Sequence, residues 1–181
     1  MKPHVLTPVL GLAALLLAST AVAADAPTPF PGPELTDMFE SIEPEEIEEN
    51  PIRLLGEDWM LITAGTPDNF NTMTASWGGF GRWKVPVAYI LVNPARYTFQ
   101  FLEREEVFTL SFYDPAEHRD VLRHVFGGTS GRDSDKVAES GFTPMLAGPG
   151  IAYAEARMII VCKQSFATDT DPDGKSHRLF F

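Results

Sequence analysis

A mainly β fold with a few inserted helices, α+β in class and antiparallel in topology, is what the order of apolar runs predicts. Three observations carry it. Runs of strand length follow one another at short spacing: Trp59 to Ala64, Asn71 to Trp77, Val87 to Val92 and Val107 to Tyr113. Helical stretches fall singly between them instead of alternating strand by strand, which argues against a doubly wound parallel sheet. No segment repeats. A small closed antiparallel barrel meets all three conditions, and its interior at this size is filled by side chains, so a ligand belongs on the rim or between two copies.

The chain opens with Met1-Lys2-Pro3-His4, an uncharged Leu/Ala-rich run from Val9 to Ala18, and Ala21-Val22-Ala23. That is the three-part layout of a secretory signal peptide over residues 1–23, and its apolar run is too short to span a membrane. Export to the periplasm or the extracellular space of a bacterium is expected, with no membrane span left after cleavage. Loss of Lys2 leaves 13 basic against 25 acidic residues, a net charge of −12 in place of −11. Nucleic acid and anionic membrane surfaces are disfavoured as partners, since both require basic patches.

Residues 24–49 read as an N-terminal arm. Ala24 to Pro33 is too proline-rich for helix or sheet, and Glu34 to Glu49 is an acidic, partly helical surface segment. The single domain follows over 50–181. Thr66-Pro67-Asp68-Asn69 is a turn that makes a hairpin of its two flanking strands. Asn93-Pro94 sets up a helix over roughly Arg96 to Glu105. Asp114, with Glu117 three residues on, starts a helix that Gly127-Gly128 stops, and Asp135 to Ser140 is a shorter helix closed by Gly141. After the Gly148-Pro149-Gly150 turn, Ile151 to Lys163 is a long strand.

The richest stretch chemically runs from Asn71 to Pro86. Thr72, Thr74 and Ser76 fall on one face of a strand and Met73, Ala75 and Trp77 on the other. Gly78, Gly79 and Gly81 then read as a loop whose backbone can approach a flat, polar-edged heteroaromatic; the competing reading is an ordinary strand and loop with Trp77 in the core. Other constellations fail. Gly79-Phe-Gly81 lacks the third glycine of a dinucleotide loop, and Gly127 to Arg132 lacks a P-loop ending. Arg132 and Lys136 nonetheless offer two cations to a phosphate or an electron-rich ring. No metal site is expected: His118 and His124 lie on different helix faces, and Asp169 to Gly174 imitates a calcium loop but has Phe180 at its twelfth position. The lone Cys162 excludes an internal disulfide and reads as a buried small hydrophobe.

Several blocks, taken in order, resemble one family. Asn71-Thr-Met-Thr-Ala-Ser-Trp77-Gly-Gly, Val87 to Val92, Pro94-Ala-Arg96-Tyr97-Thr98, Phe108 to Phe112 and Ser130-Gly-Arg132-Asp-Ser-Asp-Lys136 are similar to the flavin reductase-like, FMN-binding split-barrel proteins, flavoredoxin among them. The resemblance implies a split β-barrel homodimer that holds FMN near its subunit interface. Electrons would pass from NAD(P)H or a redox protein, through the flavin, to a flavin, metal, other small-molecule or protein acceptor. It also implies site roles. Asn71 and Trp77 contact the isoalloxazine, Arg96 and Thr98 hold the phosphate end, Lys136 and His177 complete the pocket, and Thr74 and Ser76 lie on its strand. Family members usually continue through a further strand beyond Phe181, which predicts an open barrel edge. Two functions follow as expectations: an FMN-dependent oxidoreductase, or an exported, non-catalytic flavin-binding electron carrier, possibly a truncated pseudoenzyme.

Overall fold

The computed structural model describes residues 35–82 and 84–181. The expected leader and the proline-rich tether lie outside the described residues. Ten strands are described in chain order: β1 (Met60–Thr66), β2 (Asn69–Ala75), β3 (Gly78–Arg82), β4 (Pro86–Val92), β5 (Val107–Phe112), β6 (Pro144–Ala147), β7 (Gly150–Tyr153), β8 (Met158–Lys163), β9 (Ala167–Asp169) and β10 (Arg178–Phe180). All pairings are antiparallel. They make one sheet in the order β2-β1-β5-β8, a second in the order β3-β4-β10-β9, and a β6-β7 hairpin. The fold class is the expected one, but hydrogen bonding gives two sheets and a hairpin instead of one closed cylinder.

The central strands β1 and β5 are buried on both faces, which explains why β1 is apolar on both but for Thr63 and its C-terminal end. Its Met60, Ile62 and Ala64 join Phe108, Leu110 and Phe112 of β5 in a core that Ile90, Val92 and Phe180 of the second sheet complete. Leu61 points the other way, into a second core with Tyr113, Leu122, Phe126, Phe142 and Tyr153. Three threonine hydroxyls on that second face are tied down, because a buried hydroxyl without a partner costs about 1–3 kcal/mol. Thr63 Oγ1 and Thr72 Oγ1 lie 3.0 Å apart, Thr72 Oγ1 is 2.8 Å from the Tyr153 hydroxyl, and Thr109 donates to the Ile151 carbonyl of the hairpin.

Five short helices join the strands: α1 (Leu35–Met38), α2 (Pro51–Arg53), α3 (Phe99–Leu102), α4 (Pro115–Val121) and α5 (Lys136–Ser140). The Asp114 carboxylate caps α4 by accepting from Ala116 N at 2.8 Å, and a π-helical segment, Leu122–Phe126, continues it to Gly127. Asp135 accepts from Val137 N and Ala138 N at the start of α5, and Gly141 closes it in the left-handed region at φ 69°. Both caps match the sequence reading. The described part of the acidic arm contains α1 and is held to the domain by ion pairs of Glu45 with Arg82 and of Glu49 with Arg157.

Four elements differ from expectation. The Gly78-Gly79-Gly81 segment is not a loop but β3, and its glycines make room for β4: a Cβ at Gly79 would lie 2.5 Å from the Tyr89 hydroxyl, and one at Gly78 2.5 Å from the Tyr89 carbonyl. The helix expected over Arg96 to Glu105 shrinks to α3, because Asn93 Oδ1 takes Ala95 N at 2.9 Å and holds the Pro94 region as a turn. The long strand expected from Ile151 to Lys163 breaks into β7 and β8 around a turn in which Ala156 N bonds the Tyr153 carbonyl. Beyond Lys163, where no strand was assigned, β9 and β10 form and β10 sits between β4 and β9. The Asp169 to Gly174 stretch serves that pair: Asp171 accepts from Lys175 N and Ser176 N in a turn, and Asp169 pairs with Arg178 at 2.7 Å. Among the described residues no helix is long and apolar enough to cross a membrane.

Candidate functional site

Strand β2 is an edge strand, so its outer side keeps backbone groups free of a partner strand. The turn at Asn93 to Thr98, the π-helical end of α4 and the Ser130 to Lys136 segment border that edge, the turn and the last segment meeting where Arg132 stands over Tyr97. Between them runs a cleft of about 640 Å³, within the range of small-molecule sites. Its lining includes all eight residues singled out from the sequence: Asn71, Thr74, Ser76, Trp77, Arg96, Thr98, Lys136 and His177.

They are not equivalent. Asn71, 7 % exposed, donates its amide to Thr98 Oγ1 at 2.7 Å. Thr98 is fully buried and precedes a helix of only four residues, so its hydroxyl holds Asn71 instead of facing the cleft as a helix-terminal anion group. Gly131 completes this corner, since a Cβ there would lie 2.0 Å from Asn71 Oδ1. Thr74 Oγ1 donates to the Leu122 carbonyl at 2.5 Å and fixes the π-helical segment against β2. Ser76 is half-buried. Trp77 is 69 % exposed, which removes the core-filler reading, and its carbonyl accepts from Leu91 N at 3.2 Å where the chain passes into the second sheet. Arg96 is exposed, and half-buried His177 places Nδ1 3.1 Å from Ser176 Oγ.

Lys136 is buried. Its ammonium donates to the Thr72 carbonyl at 3.1 Å and the Phe126 carbonyl at 2.9 Å, and so pins β2 to the π-helical segment. Burial first, and then the Arg96 guanidinium, lower its pKa from 10.5 to about 8. Cys162 lies apart in the first core, where burial pushes its thiol up to about 12.

The sequence reading left several lining residues out of the site. Arg132 was noted as a cation and now stands over the Tyr97 ring at 4.8 Å, with Nη1 3.4 Å from the Ala95 carbonyl. Arg123 and Trp59 also line the cleft. Their only sequence signal is weak: Arg119 and Arg123 stand four apart on one helix and so share a face.

The charge arrangement is the most informative feature. Arg53, Arg82, Arg104, Arg157 and Arg178, all outside the cleft, each pair with a carboxylate. Arg96, Arg123, Arg132 and Lys136 line the cleft, form no ion pair among the described residues, and share the lining with no Asp or Glu. In a chain of net charge −11 the cleft lining is cationic, while Asp133 and Asp135 stand beside Arg132 and Lys136 in the adjoining cavity.

No curated protein matches the chain. Solved structures do match. The FMN-binding protein of Thermus thermophilus with bound 1-cyclohex-2-enone is 20% identical, with 78% of this chain and 72% of that one covered and a TM-score of 0.59. Flavoredoxin of Methanosarcina acetivorans is 17% identical, covering 78% and 71% with a TM-score of 0.59. The NADH:FAD oxidoreductase of Streptomyces globisporus is 18% identical, covering 78% and 81% with a TM-score of 0.57. These likenesses establish the fold. The flavin reductase like domain matches residues 52–181, nearly three quarters of the sequence, and the chain therefore belongs to the flavin reductase-like family of split-barrel proteins.

Proposed function

We propose that the chain is an FMN-binding flavoprotein that moves electrons between a donor and an acceptor through the β2 cleft. The observation that carries this reading is the group of three cations, Arg96, Arg132 and Lys136, at the Asn71 end of a cleft whose lining holds no carboxylate. A flavin mononucleotide has the matching chemistry, a phosphate dianion on a flat ring with hydrogen-bonding edges. When bound, FMN supplies one- and two-electron transfer.

The residues present fit that group. Arg96 and Arg132 face its phosphate with charge-assisted hydrogen bonds, and Asn71, held by Thr98, lines the cleft beside them. The Gly131 corner admits the ligand close to Asn71. Lys136 adds a positive charge from below, which favours an anionic reduced ring, and an anion in the cleft raises its pKa in return. Trp77 covers one side of the ring and keeps water from it, with Ser76 and His177 at the margin.

Export and dimerisation belong to the same proposal. An exported copy draws electrons from a redox protein in the cell envelope, in keeping with the leader-like residues 1–23. The homodimer reading is supported by the second sheet: Ile90, Val92 and Phe180 face the core, leaving Tyr89, Leu91, Leu179 and Phe181 on the opposite side. Leu91 also lines the cleft, so a partner on that face would adjoin the site.

Comparing FMN with riboflavin tests the reading. FMN is expected to bind at least tenfold more tightly, and Arg96→Ala with Arg132→Ala to erase the difference. Equal affinity for the two flavins would remove the phosphate from the site. Reduction of the loaded protein by NADH, NADPH or a reduced redox protein then separates the enzyme from the carrier: turnover of free flavin with a nicotinamide donor supports the enzyme, and reduction by proteins alone the carrier.

A further inference from the structure

The cleft has two ends, and the phosphate of one ligand accounts for only one of them. Arg96, Arg132 and Lys136 gather where Asn71 meets Thr98, bound there through Tyr97, Ala95 and Thr72. Arg123 belongs to the other end. Met60 pairs with Ala75 and Ala64 with Asn71, so Trp59, next to Met60, stands opposite Ser76. That is five residues along the chain from Asn71, one past the end of β2, about 17 Å at strand rise.

Two features build this far end. Trp59 has φ 68°, a positive value found among the described residues at no other position but glycine. A bulky side chain holds that conformation only where its surroundings impose it, and such residues gather at functional sites. One surrounding group is Arg119, whose guanidinium lies 4.2 Å over the indole and is anchored to the Glu57 carbonyl. Arg119 does not line the cleft, whereas Trp59 does. Arg123, one helical turn beyond Arg119, lines the cleft too, beside the Leu122 carbonyl that Thr74 fixes. It is exposed, with no hydrogen bond, ion pair or ring contact among the described residues. In so acidic a chain, a free guanidinium beside a clamped indole is a receptor for a flat ring bearing a negative charge.

We propose that Trp59 and Arg123 form a second ligand subsite that selects small planar aromatic molecules carrying an acidic group, with the ring against Trp59 and the anion on Arg123. This rests on the proposed function only in assigning the Asn71 end to the cofactor.

The test is calorimetric titration of the FMN-loaded protein with 4-nitrobenzoate and with 4-nitrobenzamide, which keep one ring and differ in charge. The benzoate is expected to bind at least tenfold more tightly than the amide. Arg123→Gln should abolish that preference while leaving amide binding and flavin absorbance unchanged. Trp59→Leu should weaken both ligands, and Trp59→Phe, which keeps a ring and core packing, should restore them in part. Equal affinity for the two ligands, or an Arg123→Gln protein that still prefers the benzoate, overturns the proposal. So does Arg123→Gln losing FMN along with the benzoate, since Arg123 would then serve the phosphate. Failure of the FMN reading is scored separately, as loss of flavin absorbance in the wild-type sample, and the same ligand comparison then decides the subsite.

Discussion

Lys136 holds two main-chain carbonyls from a buried position, and its ammonium form is disfavoured there, with a pKa near 8 against the ordinary 10.5. Between those values the unfolded chain binds the extra proton and the folded one does not, so stability rises with pH across the window. Lys136→Met should abolish that rise and take the ammonium donor from the Phe126 carbonyl, leaving the Thr72 carbonyl with only the Asn71 amide at 3.5 Å, at a cost of about 1–3 kcal/mol. Urea unfolding below and above the window measures both. Anion binding runs the opposite way: wild-type affinity for FMN should fall as pH passes through about 8, and the methionine variant should show no such fall. Thr98→Val keeps shape but takes away the acceptor of the Asn71 amide; FMN affinity is expected to fall about tenfold, roughly one hydrogen bond's worth, and unchanged affinity would show that Asn71 needs no such support. The residue types at this site were legible, because hydroxyls, an amide and an indole on one short strand are unusual company. Their directions were not: that Thr98 turns inward is decided by a partner 27 positions away, and the use of Arg123 by a helix face whose neighbours only folding reveals.

At the scale of elements, β10 shows what short-range patterns miss. It is three residues long, follows a turn-rich stretch, and is stable only because β4 and β9 flank it. Phe180 anchors it, fully buried and edge-on to Phe99 at a centroid distance of 5.6 Å. Phe180→Ala should cost about 3–5 kcal/mol, read as a lowered denaturation midpoint; a change below 1 kcal/mol would mean that the second sheet stands without β10. Strands β1, β2, β4 and β5 and the caps of α4 and α5 were readable, since local period, turn residues and capping side chains all agreed. Strand β3 was not. Its glycines signal a loop when read alone, and it is the neighbouring strand that requires two of them, Gly79 through the Tyr89 ring and Gly78 through the Tyr89 carbonyl.

For the whole molecule, the distribution of charge matters most: carboxylates crowd the arm and surface, and none lines the cleft that Arg96, Arg123, Arg132 and Lys136 share. The outer face of the second sheet is the complementary apolar feature. Phe166, 54 % exposed, stacks on Phe181 at 4.5 Å beside Tyr89, and this exposed aromatic group is the surface that the proposed dimer would bury. Phe166→Lys should shift the protein from dimer to monomer in light scattering coupled to size exclusion; a wild-type monomer would refute the dimer outright. The central claim, that the cationic cleft along β2 holds FMN, is tested most directly by the visible absorbance spectrum of the protein after incubation with FMN and desalting. Flavin bands that stay with the protein, and that leave it when Arg96 and Arg132 are both replaced by alanine, are the predicted result. A protein fraction without flavin, with all the FMN among the small molecules, would contradict the account.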